Sequence, residues 1–311
     1  MSIFGRSTFS SAGYAAFRPS YPPVLFNRVL AFHNANRGTA PSSPSGSLLD
    51  LGCGHGLVAR ALAPAFTSVV ALDPSANMVE QAKKLTTDPK IEVRQGKAED
   101  LSFLPDNSVD LVVAGQAAHW FDFSKAWPEL ARIVKQGGTF AFWGYKDHVL
   151  LGHPETTPIY NKFVYGEADP VPGMESLARF WELPGRDILR ESYRVVTPPE
   201  ADWSNVKRIA WDPDRTRGDI DDAPEEALWQ RKTLKLGELE GYLRTFSAFH
   251  GWQSAHPNLK SRAAGGEGDI VDLMFDETVD VVPEWKAAGE RWRDIEVEAV
   301  WGTVLLMAKR R

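Results

Sequence analysis

Apolar positions along residues 47–145 alternate between two periods. Short runs rich in Val, Leu and Ala at 47–51, 68–73, 91–95, 109–114 and 139–143 predict strands, nearly continuous in the manner of strands buried on both faces. Between them, 57–63 and 76–85 carry apolar residues at helical spacing, and Ser75 is placed to cap the second helix after Asp73-Pro74. A third helix is predicted from about Ser124 to Val134, with Gly137-Gly138 ending it. Strands and helices that take turns in this way predict an α/β fold around a parallel sheet. Residues 36–46 are polar and turn-rich and read as an exposed loop. After Gly144 the pattern shifts to a stretch rich in Trp, Pro and charge, in which Asp212–Glu226 reads as a solvated acidic loop. Helical spacing returns over Leu234–Phe249 and Asp269–Val279. Two strand-like runs follow, Ile295–Trp301 and Val304–Ala308, with Gly302-Thr303 predicted to join them as a tight hairpin. The expected organisation is an N-terminal arm and loop (1–46), a core from 47–145 plus 291–311, and a mainly helical lid (146–290) over the carboxyl edge of the sheet.

Composition narrows the functions open to such a fold. Of 311 residues, 43% are hydrophobic and 24% charged, which fits a globular chain and excludes fibrous and disordered classes. The net charge of -6 supplies no basic face for a phosphate backbone, so nucleic acid is not an expected partner. No apolar run approaches the roughly 20 residues that cross a bilayer, and the first residues lack a charged segment followed by an apolar one. A cytoplasmic protein without a membrane partner is therefore expected. The one cysteine, Cys53, has no second cysteine to bridge to, in keeping with a reducing compartment.

The candidate chemistry starts in Asp50-Leu-Gly52-Cys-Gly54-His-Gly56, which sets three glycines at alternate positions between a predicted strand and a predicted helix. Glycine there permits a tight turn and lets a ligand approach bare backbone. Twenty-one positions beyond Gly52, at the end of the next strand, Asp73 is spaced to accept hydrogen bonds from ribose hydroxyls. A dinucleotide fingerprint needs a glycine where Leu57 stands, and no Lys-Ser or Lys-Thr follows the glycines as in a phosphate loop. The pattern points to a nucleoside ligand.

With those residues in view, the chain resembles the class I S-adenosylmethionine-dependent methyltransferases. Gly96-Lys97-Ala98-Glu99-Asp100-Leu101 looks like that family's third motif and Leu111 to Gln116 its fourth, although many relatives carry an acid where Lys97 stands. More narrowly, Tyr14 to Pro22, Ala118-His119-Trp120-Phe121-Asp122, Trp143-Gly144-Tyr145, Leu183-Pro184-Gly185-Arg186 and Arg244 to His250 resemble the fungal trans-aconitate and cantharidin methyltransferases. The resemblance implies a Rossmann-like, seven-stranded, mostly parallel sheet with helices on both faces and a C-terminal antiparallel hairpin. It implies S-adenosylmethionine as methyl donor and S-adenosylhomocysteine as product. Asp50, Gly52, Gly54, Gly56, Asp73, Ala98, Glu99 and Gln116 would then hold the cofactor, with Tyr14 and Arg18 closing over it. Tyr21, Trp143, Tyr145, Arg186 and His250 would lie on the substrate side.

His119 and Trp120 follow the fourth strand, at the sheet edge where open α/β proteins bind ligands, and are the candidate catalytic pair. His119 reads either as a general base or as an orienting and packing residue. Arg186 is the first candidate to grip a substrate carboxylate through its planar fork of donors. The seven histidines are scattered, and no metal is expected. The expected reaction is in-line methyl transfer to a carboxylate oxygen of a small polycarboxylic acid. Hydroxyl, thiol or amine acceptors of a fungal secondary metabolite, a protein that binds the cofactor without transferring methyl, or a cyclase that keeps fold and cofactor for a cyclisation or elimination, are the alternatives.

Overall fold

A computed structural model of the chain describes residues 20–35, 44–213 and 230–311. In chain order the principal elements are α1 (Pro23–Asn34), β1 (Ser47–Leu51), α2 (Leu57–Leu62), β2 (Ser68–Asp73), α3 (Ala76–Leu85), β3 (Ile91–Gln95), β4 (Val109–Gly115), α4 (Phe123–Ile133) and β5 (Val134–Leu150). They continue with α5 (Thr156–Tyr165), α6 (Gly185–Arg190), β6 (Trp203–Trp211), β7 (Arg231–Lys235), α7 (Leu236–Leu243), α8 (Ser247–Ala255), α9 (Ile270–Asp280), α10 (Pro283–Ala287) and β8 (Glu296–Arg310). The eight strands of the described residues form one sheet, in the order β3-β2-β1-β4-β5-β8-β6, with β7 also on β8. The first five are parallel, and β8 runs antiparallel to β5, β6 and β7.

The continuous apolar runs have the cause that double-sided burial requires. Leu48, Leu111, Val113, Ala141 and Trp143 pack in the core on one face of the sheet. Leu49, Val112, Ala114, Phe140 and Phe142 meet α4 on the other, through Ala126, Trp127, Leu130 and Ile133. The period of two sorts alternate residues of a strand to opposite cores, so neither set reaches water. Two predicted helices start on caps: Ser75 Oγ accepts from the Met78 amide at 3.4 Å, and Asp122 accepts from Ser124 N at 3.1 Å.

Four expectations about elements need correction, two of them because glycine has more than one use. Gly137-Gly138 does not end a helix. The chain passes from α4 straight into β5 at Val134, and Gly137, with φ of 74°, sits in a bulge between the Val109 and Leu111 pairings. The hairpin at Gly302-Thr303 is likewise absent, because β8 is one strand from Glu296 to Arg310. A Cβ at Gly302 would lie 2.9 Å from both Asp212 Oδ1 and Lys146 Cε, so this glycine serves a close approach rather than a turn. The sheet has eight strands instead of seven, since β6 and β7, from the stretch expected to be lid, lie end to end along the outer edge of β8. The helical spacing over Leu234–Phe249 divides into β7's last residues, α7 and α8, with Arg244 to Phe246 between the helices.

Candidate functional site

The carboxyl ends of β1, β2, β4 and β5 and the segment after β3 open on a cleft of about 590 Å³, within the span of about 300–1,000 Å³ usual for small-molecule sites. Its floor is the glycine loop after β1. Gly52 has φ of 67°, and a Cβ there would come within 2.4 Å of Ala117 Cβ, so the loop presses against the segment after β4. Gly54, with φ of 54°, has nothing within 4 Å of the position a Cβ would take, and it lines the cleft. One glycine is demanded by packing, the other by open space.

Asp73 closes the loop from the side. Its Oδ2 accepts from Gly54 N and its Oδ1 from Ser75 N, each at 2.8 Å. Each carboxylate oxygen has a second lone pair, so the group retains capacity for ligand hydroxyls facing the cleft it lines. Burial raises its pKa, and the two amides partly offset that. Ala98 and Glu99 line the same end, where Glu99 Oε1 also accepts from Asp122 N at 2.8 Å. Gln116 lines the cleft in a left-handed backbone conformation (φ 56°). Its side-chain amide is spent on the backbone of Tyr145, donating to the carbonyl and accepting from the N–H, both at 2.9 Å. Gln116 thus extends the β4–β5 ladder and fixes Tyr145, another lining residue.

Asp50 and Gly56 lie outside the lining. Asp50 is wholly buried beneath the loop, where Oδ2 accepts from Ala59 N at 3.0 Å and Oδ1 has no hydrogen-bond partner. Burial pushes its pKa up to about 7, with the Ala59 amide opposing and the nearby Asp73 charge adding. Gly56, with φ of 82°, begins α2. Tyr14 and Arg18 fall outside the described residues. Burial pushes the Cys53 thiol well above its usual range, which leaves it an unreactive lining residue.

The opposite end of the cleft, beyond β4, is aromatic. His119 and Trp120 sit on a 3-10 turn (Ala118–Trp120) with rings 4.7 Å apart, and both line the cleft with Tyr21 and Tyr145. Trp143 is fully buried behind this wall and meets Tyr21 edge-on at 5.7 Å, so it supports the lining instead of joining it. Arg186 reaches the cleft from α6 with its guanidinium 4.3 Å above the Trp181 ring. It is held by ion pairing to Asp147 and by hydrogen bonds to Tyr165, whose hydroxyl donates to Asp147 at 2.6 Å. Burial alone would depress the Arg186 pKa, but Asp147 and the neighbouring tyrosines raise it, and the cation persists. Nη1 makes no hydrogen bond to the described residues. His250 is not in the lining. It lies on α8 beside Phe249, and the residue of that helix that faces the cleft is Ser247.

Several lining residues carried no signal in the sequence. Trp181 and Leu189 come from 146–290, and tertiary packing alone delivers them to the cleft, whereas Ser247 lies in the Arg244 to His250 segment of the resemblance but was not singled out there. His55, inside the glycine motif, and Met78, in the first turn of α3, were legible as neighbours of the motif but not as contacts. Burial and Arg60 lower the His55 pKa, which favours its neutral form. Among the described residues, no group of three or more His, Cys, Asp or Glu is arranged to hold a metal ion.

Comparison with known proteins agrees with this arrangement. Residues 49–142 match a family described as a methyltransferase domain. A probable S-adenosylmethionine-dependent methyltransferase, CRG1 of Saccharomyces cerevisiae, is 27% identical over 282 residues, 88% of each chain. An uncharacterized methyltransferase of Mycobacterium bovis is 30% identical over 201 residues, 64% of this chain and 70% of its own. A solved structure of a "Putative Type II Methyltransferase" from Anaeromyxobacter dehalogenans superposes with a TM-score of 0.60 at 25% identity, over 94% of this chain and 98% of the other. The glycine loop open at Gly54, the carboxylate of Asp73 beside it and these relatives lead to one conclusion: the chain belongs to the class I S-adenosylmethionine-dependent methyltransferases.

Proposed function

We propose that the chain methylates a carboxylate oxygen of a small polycarboxylic acid, of which trans-aconitate is the type. The observation that carries this reading is Arg186, a buried cation at the aromatic end of the cleft whose Nη1 makes no hydrogen bond to the described residues. The other charged lining residues, Asp73, Lys97 and Glu99, lie toward β2 and β3. An acceptor anion at the β5 end therefore meets a cation and no lining carboxylate. A planar guanidinium with free N–H donors suits a carboxylate in geometry as well as charge.

The cleft fits the donor: Gly54 leaves room against bare backbone, and Asp73 offers lone pairs to a ribose. Bound there, S-adenosylmethionine supplies a methyl group on a sulfonium, and transfer to a carboxylate cancels one positive against one negative charge. Tyr21, Trp120, Tyr145 and Trp181 exclude water from the acceptor end, and a weakly polar surrounding favours a reaction whose charges disappear. Holding reactants in near-attack geometry lowers a barrier by about 7–11 kcal/mol, more than the 10²–10⁴-fold typical of a general base. A carboxylic acid with a pKa of about 4 is ionised near pH 7 and needs no base. On this reading His119 orients Trp120 and the acceptor and removes no proton.

The test uses isotopically labelled S-adenosylmethionine with a panel of polycarboxylic acids, phenols and thiols. Label is expected in a polycarboxylate ester, with activity retained within tenfold in His119→Ala. Label confined to a phenol or thiol, lost in His119→Ala, contradicts the carboxylate reading and leaves the methyltransferase assignment intact.

A further inference from the structure

The lid contributes a second polar group to the acceptor end that the reading above does not use. Ser247 is the first residue of α8, a nine-residue helix whose N-cap, Phe246, supplies no side-chain cap. The first-turn amides of a helix have no partner inside the helix, and together with the helix dipole they favour an anion. A free helix end alone signifies little, since many are solvated. Here a second observation points the same way. Ser247 is 4% exposed, its hydroxyl makes no hydrogen bond among the described residues, and it lines the cleft. A serine this enclosed, bordering the cleft with no protein partner for its hydroxyl among the described residues, is placed to hydrogen-bond a ligand there.

Arg186 and the start of α8 converge on one side chain. The Arg186 guanidinium stands 4.3 Å from the centre of the Trp181 ring, and the Phe246 ring lies 5.4 Å from the same indole. Trp181 itself lines the cleft. Two anion-seeking groups therefore flank one aromatic wall, and the single carboxylate beside the first, Asp147, is shared between Arg186 and Arg190.

We propose that Ser247 and the uncapped first turn of α8 form a second anion subsite, which takes one carboxylate of the acceptor while Arg186 takes another. Resting on the carboxylate-acceptor reading, this makes Ser247 a specificity-determining residue that favours acids with two or more carboxylates over monocarboxylic acids.

Calorimetric titration of trans-aconitate and of crotonate, a monocarboxylate, into the S-adenosylhomocysteine complex tests this without turnover. The wild type is expected to bind trans-aconitate at least tenfold more tightly than crotonate. Ser247→Ala should lose about tenfold for trans-aconitate with little change for crotonate, and Ser247→Asp should abolish trans-aconitate binding by charge repulsion. S-adenosylhomocysteine affinity, measured first, should stay within threefold in both variants. Trans-aconitate affinity equal to wild type in both variants overturns the subsite. So does a parallel loss of S-adenosylhomocysteine affinity in Ser247→Ala, which would place the hydroxyl in the nucleoside pocket or the fold. A wild-type complex that binds no trans-aconitate, with no polycarboxylate labelled in the panel, removes the carboxylate reading itself and this inference with it.

Discussion

Asp50 shows how a single side chain can carry both a legible and an illegible part of the site. Its place before the glycines was readable from spacing, but its burial beneath the loop, out of the cleft lining, was not. Spacing along a chain gives proximity to a turn and not the side of the turn on which a group lies. The consequence is a dependence on pH. In the folded ligand-free protein the Asp50 pKa stands at about 7, against 3.8 for the free side chain, so between those values the folded state holds a proton that the unfolded state has released. Stability should therefore fall as pH rises from about 4 to about 7 and level off beyond. Asp50→Asn should remove this slope and stabilise the ligand-free protein at pH 8 by on the order of 2–4 kcal/mol, with almost no gain at pH 4. Thermal melts of both proteins from pH 4 to 8 check this, and curves that stay parallel contradict it. The place of Asp73 at the edge of the cleft, by contrast, was legible, because the strand after the glycine loop fixes both its distance and its side.

Among elements, those with one physical job were readable and those with two were not. β1 to β3 appear at the predicted bounds, since an apolar run bounded by polar turns has few other uses. β5 and β8 were misjudged at their glycines: the same residue type that ends a helix or makes a hairpin also makes a bulge at Gly137 and a close approach at Gly302. Length obscured them too, as β5 runs 17 residues and β8 runs 15, well beyond the usual strand. The junction of β4 and β5 carries a prediction of its own. Gln116 ties both backbone groups of Tyr145, and Tyr145 is 3% exposed, so Gln116→Leu removes two hydrogen bonds from a buried stretch of backbone. At about 1–3 kcal/mol for each buried backbone group deprived of this bond, the loss should be on the order of 2–4 kcal/mol. Chemical denaturation measures it, and a loss below 1 kcal/mol would mean that water reaches Tyr145 and the ladder does not depend on Gln116.

At the scale of the whole molecule, one sheet carries both ends of the cleft. Its parallel half lines one end through β1 and β2 and the segment after β3, the end proposed for the nucleoside, and β5 lines the aromatic end proposed for the acceptor, with Arg186, Trp181 and Ser247 brought from the intervening stretch. The local motifs of the parallel half are contiguous in sequence and could be read there. The acceptor end is assembled from residues more than 200 positions apart, Tyr21 to Ser247, and no local period announces such a convergence. The central claim is that the cleft above the glycine loop binds S-adenosylmethionine against bare backbone at Gly54. Calorimetric titration of S-adenosylmethionine into the wild type and Gly54→Val tests it most directly. One site per chain is predicted for the wild type, with affinity at least tenfold weaker in Gly54→Val while the variant stays folded by circular dichroism. No heat of binding to the wild type, or equal affinity in a folded Gly54→Val, would contradict the account.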